Sequence, residues 1–205
     1  SPFDEAVSLI WYLEHVFYHS VPKIYNYIQH HIYDGEPIEN EIIDLGFWPG
    51  GDRDGNPFVT TKITLDVAER LRRTILRSYY RDIRRLKRRF TFDGVQEILA
   101  RVEKRLYKHV VRSYAKVNFS QNILLKELYD AREIIVNNHQ SLFVEELNDV
   151  INKVRIFGFH FATLDIRQDS RVHHQAFTQI VKDLHKVGDT TFPKNYLTLS
   201  EQEQI

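Results

Sequence analysis

Residues 47–60, FWPGGDRDGNPFVT, place three glycines and three charged side chains between apolar flanks. A surface turn needs only one Asn-Gly or Asp-Gly pair, so this glycine-rich loop carries more chemistry than a turn requires. A helical pattern begins directly after it, near Thr60 to Thr64. The free N–H groups and the positive dipole end of a helix start attract anions. We therefore expect Arg53 and the helix start to form a site for a phosphate or a carboxylate.

The two aspartates of the loop have three roles open to them. Asp52 and Asp54 can orient Arg53, bind a cation, or hold the loop closed through bonds to its own amides. A purely structural turn tied down by such bonds is the alternative. An EF-hand is excluded, because proline and isoleucine occupy the positions where that calcium loop requires glycine and glutamate.

Amphipathic patterns predict that helices occupy most of the remaining chain. Residues 3–32 carry apolar side chains three and four positions apart, and Pro22 is expected to kink or break that helix. Residues 42–50 predict a short strand that enters the glycine-rich loop, and the polar tail beyond residue 187 is expected to be loose. Further helices are predicted over about 60–90, 93–114, 120–136, 141–153 and 171–186. Their short connections predict antiparallel neighbours in a bundle.

A second chemical motif follows an apolar run. Residues 156–167, IFGFHFATLDIR, predict a buried strand of a parallel sheet, with His160 as a hydrogen-bonded core histidine. Polar side chains directly after such strands are where barrel and open-sheet enzymes contact substrate, so Arg167 is the leading candidate for substrate binding. In the alternative, Arg167 and Asp165 neutralise one another and, with Ser170, cap the next helix.

Composition narrows the class of protein. The chain is 42% hydrophobic and lacks an apolar run of about 18 residues, so it is globular and does not span a membrane. The start has no signal-peptide pattern, and a cytoplasmic location is expected. The chain has no cysteine and no methionine, and without an initiator Met we expect a fragment of a longer polypeptide. His15 and His19 have the spacing of a zinc helix but lack its glutamate, and we predict no metal site here.

Charge is distributed unevenly. The 28 basic and 28 acidic residues cancel, but residues 69–116 hold 16 Lys and Arg against 5 Asp and Glu, a net charge of +11. The rest of the chain carries an equal and opposite net charge. This balance favours ion pairing within the chain over binding of RNA or an acidic partner. An arginine stripe within this segment is interpreted as a solvated or salt-bridged helix face, with a regulatory or RNA-binding role as the alternative. The stripe comprises Arg70, Arg73, Arg77, Arg81, Arg84 and Arg88.

The two motifs carry a family resemblance. GGDRDGNPFVT, residues 50–60, closely resembles the GGDRDGNPxVT segment of phosphoenolpyruvate carboxylase, and residues 157–170 resemble the family block that ends LDIRQES. Their order and their separation by a long helical stretch also agree. Mild departures are Pro49 in place of a common Met, Phe58 in place of a frequent Asn, and Asp169 in place of Glu.

The resemblance implies a mostly α structure: a bundle of long helices with one or two short buried strands, cut from a (β/α)8 barrel enzyme. Residues 1–205 would be a single partial domain. The implied activity is a carbon-carbon lyase that fixes carbon dioxide, joining bicarbonate to phosphoenolpyruvate to give oxaloacetate for the tricarboxylic acid cycle. The family uses Mg²⁺ or Mn²⁺ and forms cytoplasmic, allosteric homotetramers without nucleic-acid or membrane partners.

By this resemblance, Arg167 and Arg53 bind substrate. The residues expected to support them are Asp52, Asp54, Asn56, Asp165 and Gln168. The catalytic histidine, catalytic lysine and metal-binding acids of the family have no counterpart here, so we expect the metal ligands elsewhere and the chain alone to be inactive. The alternative function is a non-enzymatic helical module that binds RNA or acidic partners through residues 69–116, although it gives the glycine-rich loop no role.

Overall fold

The computed structural model describes residues 1–36, 38, 42–54, 56–111, 119–200 and 202. Gly55 of the loop, the expected end of the fourth helix near residue 114, and Arg112 and Lys116 of the basic segment lie outside that range. The helices are α1 (Pro2–Tyr12), α2 (Tyr18–Ile32), α3 (Thr61–Arg89), α4 (Val95–Val111), α5 (Gln121–Asn138), α6 (Val144–Phe157) and α7 (Ser170–Lys186), with a π-helical turn over Leu13–Phe17 and a 3-10 turn over Tyr196–Thr198. The strands are β1 (Gly46–Phe47) and β2 (Thr163–Leu164).

The helical bundle predicted from the sequence is confirmed. Thr60 begins α3 by accepting a hydrogen bond from the amide of Ile63, and α3 packs against α1, α4 and α6. Consecutive helices from α3 to α6 also pack on one another. One face of α3 forms the centre of the core through Val67, Leu71, Ile75, Tyr79, Ile83 and Leu86, each at most 1% exposed.

The first helix is distorted one turn before the predicted position. Pro22 lies inside α2, and the irregular π-helical turn precedes α2 at Leu13–Phe17. A proline ring crowds the carbonyl four residues earlier, here that of Tyr18, the first residue of α2. The π-helical turn therefore ends directly before the residue whose carbonyl Pro22 crowds, and such turns are a recognised cause of helix distortion.

The strand predicted over residues 156–167 is mostly wrong. Helix α6 continues to Phe157, the chain then turns with positive φ at Gly158 and Phe161, and only Thr163–Leu164 is strand. The aromatic side chains account for the difference, because the rings of Phe157 and Phe161 lie 5.5 and 6.2 Å from that of Tyr18 in the helical core.

The predicted parallel sheet is present among the described residues, but it has only two strands of two residues each. Gly46 pairs with Thr163 and Phe47 with Leu164 in a parallel register. Burial is less complete than predicted for the sheet, since Phe47 is buried while Thr163 is exposed. His160 is exposed as well, so its interpretation as a core histidine is wrong. It lies in the turn after α6 and not in a strand.

Helix α7 packs against part of the tail that follows it. Asp169, and not Ser170, caps α7 by accepting a hydrogen bond from the amide of Arg171. The tail is more ordered than expected, because the rings of Phe192 and Tyr196 lie 4.8 Å apart and Phe177 of α7 packs at 5.6 Å from Phe192. Within the described ranges, no helix is long and apolar enough to cross a bilayer.

Candidate functional site

The two sequence motifs lie side by side. Beyond β1 and β2, an isolated parallel bridge between Asp52 and Arg167 continues the pairing into the glycine-rich loop. Four backbone hydrogen bonds join the described residues of the two segments: Thr163 N to Leu45 O at 2.7 Å, Asp165 N to Phe47 O at 2.8 Å, Arg167 N to Gly51 O at 3.1 Å, and Arg53 N to Arg167 O at 2.9 Å. Because parallel strands end at the same edge, the pairing brings Arg53 and Arg167 to one place.

Two glycines allow the loop to lie between α3 and the residues after β2. A Cβ on Gly51 would lie 2.1 Å from the backbone oxygen of Asp165. Gly50 has a φ of +83°, and a Cβ there would lie 2.6 Å from a methyl carbon of Val67. Glycine is therefore required at Gly51 for space, and at Gly50 for both space and backbone conformation.

Arg53 is anchored on the first turn of α3. Its Nη2 donates to the hydroxyl of Thr64 at 2.9 Å, and that hydroxyl lies 2.7 Å from the carbonyl oxygen of Gly50. The Nε of Arg53 is buried without a partner among the described residues. The first turn of α3 contains no acidic side chain. A guanidinium and the positive end of a helix thus meet here, which is the arrangement expected of an anion site.

Arg167 faces outward beside the loop. Its Nη2 and Nε lie 2.9 and 3.1 Å from one carboxylate oxygen of Asp165, so the pair considered in the sequence analysis is present. The hydrogen bond to Asp165 raises the pKa of Arg167, with smaller contributions from the charges of Asp165 and Asp52. The side chain of Arg167 remains 62% exposed, so a ligand can still reach its guanidinium.

The remaining predicted residues have lesser contacts. Asn56 accepts a hydrogen bond from the amide of Phe58 at 3.1 Å, and Gln168 accepts one from the amide of Asp169 at 3.0 Å. Both side chains therefore shape the backbone around the site. Asp52 is half-buried and Asp54 is exposed, and neither side chain has a hydrogen bond within the described part of the chain.

A complete site for a divalent metal ion would need ligands beyond the described residues. Across the described residues, no group of three or more His, Asp or Glu side chains could hold a metal. Mg²⁺ in proteins is bound through carboxylate and other oxygen ligands in an octahedral arrangement, commonly with substrate phosphates and water completing the shell. The groups that the described residues bring together here are positive groups for an anion.

Sequence analysis missed a polar residue of the site and a buried polar network elsewhere in the core. Thr64 lies three residues before Val67 on the buried face of α3, and a polar residue on an apolar face is the pattern that could have identified it. Farther along α3, the Nζ of Lys153 and the hydroxyl of Tyr18 each lie 2.8 Å from Oδ2 of Asp82. The hydroxyl of Tyr79 donates to the carbonyl of Gly158 at 2.7 Å, just before β2.

Part of the basic segment is neutralised by acids outside it, as predicted. The ion pairs are Arg81–Glu14 at 2.6 Å, Arg89–Glu146 at 2.9 Å, Arg101–Glu127 at 2.6 Å and Arg105–Glu127 at 2.9 Å. In the arginine stripe, Arg84 also lies 3.9 Å from Glu103. Its other members, Arg70, Arg73, Arg77 and Arg88, have no ion pair with any described residue. The stripe is thus a mixed face of paired and solvated arginines.

Comparison with known proteins places the chain in a family. The family model of phosphoenolpyruvate carboxylase matches residues 1–118 and 95–205. The phosphoenolpyruvate carboxylase of Aeromonas hydrophila is 29% identical, with 90% of this chain and 24% of the relative aligned. That of Nitrosomonas eutropha is 27% identical over 86% of this chain and 24% of its own length. That of Thermosynechococcus vestitus is 26% identical, with 98% of this chain and 25% of the relative aligned.

The chain spans about a quarter of the length of these relatives. The two ranges matched by the family model overlap and together reach from the first residue to the last. Both motifs, and the backbone bridge that joins them, lie inside the matched ranges. The chain therefore belongs to the phosphoenolpyruvate carboxylase family.

Proposed function

We propose that this chain is part of a full-length phosphoenolpyruvate carboxylase, a carbon-carbon lyase that makes oxaloacetate and phosphate from phosphoenolpyruvate and bicarbonate. The observation that carries the proposal is the bridge that brings Arg53 and Arg167 together at the carboxyl ends of two parallel strands. This edge is the usual place for substrate in barrel enzymes. Family membership supports the reaction type.

The reaction explains why arginines are needed. A bicarbonate oxygen attacks phosphorus, the enol oxygen leaves with the electrons of its P–O bond, and carboxyphosphate and an enolate result. Carboxyphosphate releases carbon dioxide and phosphate, and carbon 3 of the enolate then attacks the carbon dioxide. Negative charge is present on the substrate and its products throughout, so guanidinium groups fixed in advance stabilise each state.

We assign substrate binding to Arg167 and Arg53 within this reaction. Asp165 holds the Arg167 guanidinium at two nitrogens, and Asp52 adds negative charge beside it. Asp54 is proposed to contribute to the charge of the loop, while Asn56 and Gln168 keep the backbone around the arginines in shape.

Other parts of the reaction are proposed for the full-length protein. Family members use Mg²⁺ or Mn²⁺ as an electrophile, and we place its ligands, the catalytic histidine and the catalytic lysine outside this chain. The chain alone is then inactive. We further propose a cytoplasmic, allosterically regulated homotetramer without nucleic-acid partners.

The test is carboxylase activity of the full-length protein, followed by coupled reduction of oxaloacetate. Arg167→Ala is compared with Arg171→Ala, because Arg171 makes the same kind of pair with Asp169 at 2.8 Å but bonds to nothing in the loop. We expect Arg167→Ala to lower kcat/KM for phosphoenolpyruvate by about 100-fold or more, and Arg171→Ala to leave it unchanged.

Two outcomes would contradict these assignments separately. Full activity of Arg167→Ala would remove Arg167 from the substrate site while leaving the reaction in place. Absence of bicarbonate-dependent oxaloacetate formation by the unmodified protein would rule out the proposed function itself.

A further inference from the structure

Thr64 of α3 holds two residues of the glycine-rich loop, Gly50 and Arg53. Its residue exposure is only 6%, and its hydroxyl lies 2.9 Å from Nη2 of Arg53 and 2.7 Å from the carbonyl oxygen of Gly50. A hydroxyl has one proton to donate and two lone pairs to accept with. Thr64 can therefore donate to Gly50 and accept from Arg53 at the same time.

The anchor that Thr64 gives to Arg53 is electrically neutral. Among the described residues, the bond to Thr64 is the single side-chain hydrogen bond of Arg53, and no carboxylate lies within ion-pair distance of it. Arg167 differs, since Asp165 already neutralises it. The charge of Arg53 is thus held in place without being cancelled, beside a helix start that is free of acidic side chains.

The remaining donors of Arg53 point to a use for this arrangement. Its Nε is buried without a partner within the described ranges, and a buried unpaired donor is rare enough to require an explanation. A guanidinium has five N–H donors in a planar fork that suits phosphate and carboxylate groups. Holding one nitrogen on Thr64 leaves the others for such an anion.

We propose that Thr64 is a positioning residue, which fixes the guanidinium of Arg53 in advance for contact with the anionic groups of phosphoenolpyruvate. The inference rests on the proposed function and adds to it the residue that presets one of its two arginines. Preset donors are effective because no reorganisation is needed when the substrate arrives. Loss of the Thr64 hydroxyl therefore weakens substrate binding through Arg53.

The first experiment measures KM and kcat of the full-length protein with Thr64→Val, which removes the hydroxyl at almost constant shape. We expect KM for phosphoenolpyruvate to rise about tenfold, the effect of losing one hydrogen bond that involves a charged group. Thr64→Ser, which keeps the hydroxyl, should restore KM. The matched control is Thr74→Val, since Thr74 is also buried in α3 but its hydroxyl bonds only to the carbonyl of Arg70.

A double-mutant cycle separates the bond of Thr64 to Arg53 from its bonds to the carbonyl oxygens of Gly50 and Thr60. If Thr64 acts through Arg53, Thr64→Val should not raise KM further in a protein that already carries Arg53→Ala. Independent, multiplying effects would show that the hydroxyl acts only through those two backbone carbonyls and would overturn the inference. An unchanged KM in Thr64→Val would do the same while the unmodified protein stays active, whereas an inactive unmodified protein would reject the proposed function and this inference with it.

Discussion

Gly51 and Asp165 approach so closely that a Cβ on Gly51 would lie 2.1 Å from the backbone oxygen of Asp165. This contact belongs to the stretch where Arg167 N donates to Gly51 O, so it is part of the junction between the glycine-rich loop and the residues after β2. Unlike Gly50, Gly51 does not have a positive φ. Its glycine is therefore needed for space alone, and the two motifs can join only because no side chain separates them.

Gly51→Ala should open this junction. The added methyl group meets backbone, which cannot rotate away as a flexible side chain can, so we expect a loss of about 1–3 kcal/mol in unfolding free energy and a raised KM for phosphoenolpyruvate. The measurements are the thermal midpoint and the coupled assay on the full-length protein. Gly46→Ala is the control, since nothing lies within 4 Å of its Cβ position on β1. Equal midpoints and KM values for the two variants would contradict the need for close approach.

Tyr79→Phe should destabilise the turn before β2. The hydroxyl of Tyr79 is buried and donates to the carbonyl of Gly158 at 2.7 Å, so its removal leaves that buried carbonyl without this partner. We expect a loss of about 1–3 kcal/mol in unfolding free energy, measured by urea denaturation of the full-length protein. Tyr80→Phe is the control, because the neighbouring hydroxyl of Tyr80 has no hydrogen bond with any described residue. A similar loss in both variants would show that the bond to Gly158 contributes nothing.

The helices could be predicted from the sequence because their information is local. Thr60 and Ser120 each accept a hydrogen bond from the amide three residues later, at the starts that the pattern indicated for α3 and α5. The apolar stripe from Val67 to Leu86 is the buried face of α3. The position of Arg167 shortly after a short parallel strand could also be anticipated, from the apolar run that precedes it.

The turn near residue 160 could not be predicted, because its apolar residues pack in the helical core and not in a sheet. Phe157 and Phe161 pack against Tyr18, from a helix more than a hundred positions earlier, and no local pattern encodes that contact. The positive φ of Phe161 is equally invisible to an apolar pattern. Thr64 was missed for a related reason, since its partners Arg53 and Gly50 lie across a loop whose path is set by tertiary contacts.

Lys153→Met should be strongly destabilising. Lys153 and Asp82 lie 2.8 Å apart with side chains only 10% exposed, so removing the ammonium leaves a buried carboxylate with less compensation. We expect a loss of about 3 kcal/mol in unfolding free energy, measured in urea on the full-length protein. The control is Lys186→Met, whose partner Asp183 is also 2.8 Å away but at the surface. A much smaller loss is expected there, because solvent screens an exposed pair.

The same pair provides an internal test. The double variant Lys153→Met, Asp82→Leu removes both charges. We expect it to be more stable than Lys153→Met alone, because it no longer buries a carboxylate whose only remaining cation among the described residues is the exposed Arg85. Tyr18 then loses its acceptor as well, so full recovery is not expected. The single variant Asp82→Leu completes the comparison. If the loss in the double variant equalled the sum of the losses in Lys153→Met and Asp82→Leu, Lys153 and Asp82 would not stabilise one another.

His109 should make the protein less stable in mild acid. Its residue exposure is 4%, its ring stacks on Phe119 at 5.3 Å, and burial, with the charge of Arg72, lowers its pKa below 6.5. As the pH falls through 6.5, the unfolded chain therefore binds a proton at this position before the folded chain does. Unfolding free energy should be highest above that pH and should decrease as the pH falls toward the lower folded-state pKa.

The measurement is the urea midpoint of the full-length protein between about pH 7.5 and 5.5, with and without His109→Leu. In the His109→Leu variant, the stability should decrease less as the pH falls. The difference between the two slopes of stability against pH gives the contribution of His109. Burial also lowers the pKa of His19, but that residue is present in both proteins and cancels in the comparison. Parallel pH profiles for the His109→Leu variant and the unmodified protein would show that the proton affinity of His109 is the same in the folded and unfolded chain.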